Sequence, residues 1–310
     1  LVPSLFLFGL AGFACSLSTD FSTLLILRFI QGTGGAALNT LNVTLIGDLY
    51  SGNKRTSAMG YNASILSIGT AVYPAVGGLL ASLGWHYPFM LPILAIPIGI
   101  LIIYKMNNPQ PKNDQNLKEY LGDALKIAKK PSVLVIFLMS MLIFIMLYGS
   151  YLSYFPFLLE RKFHVSSAII GLIMSGMSLS TAFTSSQLGR LNKHLHRKTI
   201  LLFSFFLFAL SLAFFPLSPG LGWLIIPVLL FGGALGLTVP NMHTMIAEAS
   251  SINQRGVLMS FNSAVLRGGQ TLGPLIMGWV YTWKGLDFTF WSGSLVALLL
   301  FVLVLMMVKR

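Results

Sequence analysis

The sequence predicts an all-α protein that threads a membrane ten times and falls into two related bundles. Three observations carry that expectation. Hydrophobic residues make up 55% of the 310 residues and charged ones 9%, where a soluble domain carries about 25% charged. With a mean hydropathy of +0.80, the chain has too few charges to cover a water-facing surface. Ten apolar runs approach the roughly 20 residues that cross about 30 Å of hydrocarbon. Part of the chain also repeats itself at an offset of 200 residues. Disorder, collagen and coiled coil are excluded by the same composition. In lipid every backbone polar group needs an internal partner, so spans of this kind are helices.

In chain order the runs are 1–18, 22–46, 57–83, 90–104, 132–158, 167–188, 199–217, 223–247, 257–283 and 289–308. Most connections are short. The exception, 105–131, holds six lysines and three of the eight acids. It reads as a cytoplasmic central loop, with a short amphipathic helix around 117–129 lying on the membrane surface. The expected domains are therefore a bundle of four spans over 1–104, the loop at 105–131, and a bundle of six spans over 132–310.

Orientation follows from Lys and Arg, which collect in cytoplasmic loops. One side carries Lys54, Arg55, Lys105, Lys112, Lys118, Lys126, Lys129, Lys130, Arg190, Lys193, Arg197, Lys198, Arg255, Lys309 and Arg310; the other carries Arg161, Lys162 and Lys284. The first side is inside, and the C-terminus with it. Trp85, Trp223, Trp283 and Trp291 all fall at outer ends, as an interfacial belt requires. The net charge of +12 is thereby topological; no folded soluble face offers the basic patch a nucleic-acid binder needs. Cys15 is the only cysteine, so neither a disulfide framework nor a cysteine metal cluster is expected. No signal peptide is visible. The first run heads outward from an interior start and lacks an initiating Met, which reads as a missing true N-terminus.

The repeat aligns without gaps. Gly32, Thr44, Ile46, Asn53, Arg55, Met59, Asn62, Leu66, Gly69, Pro74 and Gly78 recur as Gly232, Thr244, Ile246, Asn253, Arg255, Met259, Asn262, Leu266, Gly269, Pro274 and Gly278. Asp48 is answered by Glu248 and Tyr61 by Phe261. Both copies enter from outside, so the repeat is parallel, about an axis along the membrane normal. Transporters built as two equivalent halves place the substrate between them near the midplane. A six-span half would need two more spans before Leu1, giving twelve.

The residues that repeat carry a resemblance. Leu24-x3-Arg28-x2-Gln31-Gly32-x-Gly34-Gly35-Ala36 resembles the fourth-helix motif of the major facilitator superfamily. Gly60-x8-Gly69-x3-Tyr73-Pro74-x2-Gly77-Gly78 resembles the fifth-helix motif of its drug:proton antiporters, with Tyr73 standing where that motif has Gly. The loop from Gly189 to Lys198 resembles a second copy of the family's gating loop, with Lys193 in place of Asp. The resemblance covers the chain as the third to twelfth helices of the major facilitator fold, in two pseudo-symmetric bundles. It implies that Arg28 takes part in proton coupling.

Read from the residues themselves, Arg28 shares a helical face with Gly32, Gly35, Asn39 and Asn42. An ionisable group at membrane depth is a functional hypothesis by default, and Arg28 is expected to face the protein interior; a structural tie to helix-end carbonyls is the alternative. His243 has the intrinsic pKa for a switch near neutral pH, or serves as a neutral hydrogen-bonding residue. Arg267, flanked by Asn262 and Gln270, is either a cationic feature of the cavity or an interhelical donor. Asn39, Asn42, Asn62 and Asn241 are assigned to a substrate cavity with Arg267 and Gln270. Tyr148 and Tyr151 share a face, and with Met177 they offer an adaptable lining or ordinary packing. Asp48 with Arg55 and Glu248 with Arg255 are expected as gate-like cytoplasmic ion pairs. Gly69, Pro74, Gly77, Gly78, Gly273 and Pro274 allow close helix approach and bending.

No nucleophile-base set, phosphate-cradling loop or metal spacing is present in the sequence, so an enzyme and an ATP-driven pump are disfavoured. No cofactor and no metal are expected. The reading is a monomeric secondary transporter of the bacterial inner (cytoplasmic) membrane. It exports a small hydrophobic or amphipathic compound by alternating access, in exchange for protons. A facilitator or symporter of a metabolite such as a sugar or organic acid is the alternative, as is a transport-inactive sensor or scaffold. None of the eight carboxylates sits deep in a span. The titrating group then lies in the two expected preceding helices, at His243, or at a mouth carboxylate.

Overall fold

The structure, a computed structural model, describes residues 1–50, 52–105, 130–249 and 255–307. Among them every regular element is helical. They are α1 (Val2–Ser16), α2 (Phe21–Leu49), α3 (Gly52–Leu83), a 3-10 segment (Tyr87–Leu94) running into α4 (Ala95–Lys105), and α5 (Pro131–Ile145). A π-helical segment (Met146–Tyr154) then joins α5 to α6 (Phe155–Phe163). After these come α7 (Ser167–His194), α8 (Arg197–Leu217), a 3-10 turn (Leu221–Leu224), α9 (Ile225–Glu248), α10 (Arg255–Lys284) and α11 (Leu286–Met307). These follow the ten predicted spans, with α5, the π segment and α6 as one. Seven segments among the described residues are long and apolar enough to cross a membrane. The helix expected around 117–129 lies outside the described residues.

Local chemistry explains the ends. Asp20 caps α2, its Oδ1 accepting the Thr23 N–H at 2.8 Å; that backbone donor, which stabilises the ionised form, holds the Asp20 carboxyl below its usual range. Pro3, Pro131 and Pro156 sit in first turns, where a missing N–H costs nothing. Gly285, at φ 87°, makes the left-handed turn between α10 and α11 that a residue with a Cβ resists. Pro74, Pro216, Pro240 and Pro274 lie inside helices.

The chain divides into two compact units: Leu1–Asp114 with Ser167–Leu172, and Gln115–Ser166 with Ile173–Arg310. In the first, α1 packs on α2 and on the 3-10 segment with α4. A Cβ at Gly34 would stand 2.9 Å from the Phe8 nitrogen and the Ser4 oxygen, so α2 lies backbone-on-backbone against α1. A Cβ at Gly78 would likewise strike the Ser167 carbonyl oxygen, and one at Gly171 that of Pro74.

The second unit repeats this neighbour scheme: α8 packs on α9 and on α11. The sequence repeat maps α2 onto α9 and α3 onto α10, and the helix ends agree, Leu49 with Glu248 and Leu83 with Lys284. Lipid supplies little hydrophobic drive between helices, so small residues and hydroxyls join them. Along α7 and α9, Ser180, Thr181 and Ser185 donate to the carbonyls of Leu229, Gly232 and Gly236 at 2.7, 2.9 and 3.0 Å. Along α10, a Cβ at Gly273 would lie 2.9 Å from the Gly149 nitrogen and the Ile145 oxygen, and one at Gly269 2.6 Å from the Met141 oxygen. The aromatic core is Tyr151 stacked on Phe155 (5.0 Å) and Phe231 (4.8 Å), with Phe208, Phe215 and Phe290 around it.

Candidate functional site

In the first unit the polar centre is built on α2. Arg28 donates through Nη1 to Gln31 Oε1 at 2.8 Å, and its guanidinium lies 4.4 Å from the centroid of the Phe89 ring, a cation–π arrangement. Gln31 is buried, but Arg28 and Gly32 are exposed, and a Cβ at Gly32 would meet nothing within 4 Å. The sequence predicts an inward-facing Arg28; among the described residues its side chain is exposed. Its helix turns Gln31 and Gly34 inward to α1, which leaves the Arg28–Gly32 edge open. Further along, Asn42 Nδ2 donates to Asn62 Oδ1 at 2.7 Å, tying α2 to α3.

In the second unit Ser140, Phe144, Met242, His243, Asn262 and Leu266 line a narrow cavity of about 10 Å³, room for about one water. It is built where α5, α9 and α10 meet. His243 is half-buried and Asn262 is 1% exposed. Asn262 Oδ1 has no hydrogen-bond partner among the described residues. The sequence pointed to Asn262 only as a flank of Arg267 and a repeat of Asn62; the signal that marks it is that position 242, opposite, is Met where the first copy has Asn42.

At the C-terminal end of α9, Glu248 Oε2 and Oε1 accept hydrogen bonds from Arg197 Nη1 and Nη2 at 2.5 and 2.9 Å. These bonds hold the Glu248 carboxyl below its usual range. A partner among the described residues is Arg197, from the gating-loop resemblance; the expected pairing with Arg255 lies outside the described residues. The side chains of Asn39, Asp48 and Arg55 lie outside them too. The pairing across 51 residues comes from α8 lying against α9, which the sequence spacing of Glu248 and Arg255 could not show.

Three residues expected to line the cavity are buried in helix packing. Tyr151 is fully buried in the aromatic core, and its hydroxyl has no partner. The wider i→i+5 winding of the π segment turns it away from Tyr148, which stacks on Phe144 at 5.9 Å instead. Met177 is 9% exposed, with its backbone against Gly232. Asn241 is buried between α7 and α9; it donates to the Leu237 carbonyl at 2.9 Å and accepts from Asn192 at 3.4 Å. Small Gly232 and Gly236 draw α7 in and fill that face. Arg267 is exposed and within electrostatic reach of Tyr148; Gln270 is half-buried one turn further on. A Cβ at Gly69 would lie 3.0 Å from the Tyr73 ring, one at Gly77 would meet nothing within 4 Å, and Pro74 and Pro274 are half-buried.

The sequence profile described as Major Facilitator Superfamily matches residues 1–162 and 151–310, the whole chain. The chain belongs to the major facilitator superfamily. It is therefore a membrane transporter rather than an enzyme, and the fold-class expectation of ten helices in that fold holds. Among facilitator relatives, the multidrug efflux pump SdrM of Staphylococcus aureus is 26% identical over 90% of this chain and 74% of its own length. The class D tetracycline resistance protein of Salmonella ordonez is 26% identical over 85% of this chain and 68% of its own. Multidrug resistance protein 1 of Bacillus subtilis is 25% identical over 91% and 72%. Among solved structures, the nucleoside transporter NupG superposes with a TM-score of 0.79 at 16% identity, covering 99% of this chain and 82% of that one. A bacterial homologue of the human lysosomal transporter Spinster gives 0.70 at 16%, covering 98% and 80%. At that identity the two structures speak to the fold alone.

Proposed function

We propose that this facilitator exports small hydrophobic or amphipathic compounds from the cell across the inner (cytoplasmic) membrane, by alternating access and in exchange for protons, as a monomer with its C-terminus inside. The observation that carries the reading is similarity along 90% of the chain to a multidrug efflux pump. The site supports it at Arg28. On α2, Arg28 is held by a neutral amide and an aromatic face. A guanidinium keeps its charge in essentially any protein site, so Arg28 stays available to an acid whose protonation changes from one state to the other. A proton shifts the equilibrium only if it binds the two states unequally, and Arg28 supplies that inequality.

The test is coupled transport in proteoliposomes. An imposed inside-acid gradient should drive ethidium uptake into inverted protein while an internal pH dye reports proton exit. Arg28→Ala should abolish both with folding intact, and Arg28→Lys should leave uphill transport impaired. Gradient-independent transport, or normal coupling in Arg28→Ala, overturns the reading.

A further inference from the structure

The two copies of the repeat join their paired helices differently. In the first unit Asn42 Nδ2 donates to Asn62 Oδ1 at 2.7 Å, so α2 and α3 meet amide to amide. An offset of 200 carries Asn62 to Asn262, but it carries Asn42 and Val43 to Met242 and His243. The polar residue has moved one place along the helix, which turns its side chain by about 100°. Asn262 is 1% exposed, and its Oδ1 has no hydrogen-bond partner among the described residues. Buried polar groups nearly all bond to protein or to ordered water. With His243 and Ser140, Asn262 lines the narrow cavity where α5, α9 and α10 meet.

We propose that this cavity is a binding site for one water, which donates to Asn262 Oδ1 and bonds to the His243 ring. Water then joins α10 to α9 where an amide joins α3 to α2. Two observations fit one water and no larger ligand. The cavity holds about 10 Å³, the lower limit for a single water. It also offers three polar side chains, Asn262, His243 and Ser140, where a buried water uses about two to four partners. Cavities that stay dry are apolar throughout, unlike this one. The bond to His243 survives either tautomer: the water accepts from a ring N–H or donates to a bare ring nitrogen. The site is independent of what the protein exports.

Radiolysis of the purified complete protein tests it, because hydroxyl radicals formed from a bound water oxidise the side chain beside that water. Met242 lines the cavity and is 3% exposed; Trp85, 56% exposed, reports bulk water. The parent should oxidise at both, and after rapid mixing into heavy-oxygen water the label should reach Trp85 before Met242. Asn262→Leu should lose the Met242 oxidation and keep that at Trp85. If that variant fails to fold, the exchange Met242→Asn with His243→Val takes its place, since it copies the first unit's pair. The new amide then bonds Asn262 directly, and oxidation of Phe144, on the same wall, should fall severalfold. Met242 unoxidised in the parent, heavy oxygen taken up there as fast as at Trp85, or oxidation unchanged in the variant overturns the water site.

Discussion

Gly273 is where a single methyl group should be felt most. It sits on α10 where that helix crosses the π segment, and its added Cβ would lie 2.9 Å from both the Gly149 nitrogen and the Ile145 oxygen. Ordinary contact begins at 3.4 Å, so α10 must retreat by about 0.5 Å, the difference of those two distances. Both atoms are backbone and cannot rotate aside. The retreat loosens contacts along the whole crossing, and overpacking of this kind costs about 1–3 kcal/mol. Gly77→Ala is the internal control: its Cβ would meet nothing within 4 Å, and Ala in a helix interior gains about 0.5–1 kcal/mol over Gly. Thermal unfolding of each purified variant in detergent, followed by circular dichroism, should place Gly273→Ala about 3–10 °C below the parent and Gly77→Ala at or above it. Gly149→Ala should match Gly273→Ala, since its Cβ would lie 2.7 Å from the Gly273 oxygen, and the double variant should fall short of the sum because the two share one contact. A Gly273→Ala protein that melts with the parent, or a Gly77→Ala protein that melts well below it, would refute the close-crossing argument.

Two further outcomes follow from the described contacts. Tyr151→Phe removes a buried hydroxyl that has no partner among the described residues, so it should stabilise the protein by about 1–3 kcal/mol of relieved desolvation, read as a higher apparent melting temperature, and leave ethidium transport unchanged; lost transport at full stability would return Tyr151 to the cavity. Glu248 has a lowered carboxyl pKa through its bonds from Arg197, so the pair contributes fully above the ordinary carboxyl pKa of about 4.3 and is lost as pH falls through the lowered value. With side chains 58% and 31% exposed, it is worth about 0–1 kcal/mol. Glu248→Gln should therefore melt slightly below the parent at neutral pH and with it in acid, and the swapped pair Glu248→Arg with Arg197→Glu should regain part of the loss. A gap that persists in acid rules the ion pair out as its cause.

Much of the candidate site was legible because polar groups in a lipid-soluble chain are scarce. Arg28, His243, Asn42 and Asn62 stand out against apolar neighbours, and the repeat offset marks Asn62 and Asn262 as equivalents. Their partners were not legible. Glu248 pairs with Arg197, brought to it by a helix 51 residues away, a partner that no local spacing announces. Tyr148 and Tyr151 share a face only at the α-helical period, and the π winding between Met146 and Tyr154 separates them.

The sequence by itself determined the membrane class, the order of the helices and the internal repeat, because these depend on composition, on the length of apolar runs and on residue identity alone. Only the tertiary structure decided which face of each span is covered. In a soluble helix the apolar stripe points to the core, but in a membrane span the lipid-facing and protein-facing sides are both apolar. Tyr151 in a sealed core, Arg28 on an open edge and Asn262 without its Asn partner are therefore settled by the neighbouring helix and not by the periodicity of their own.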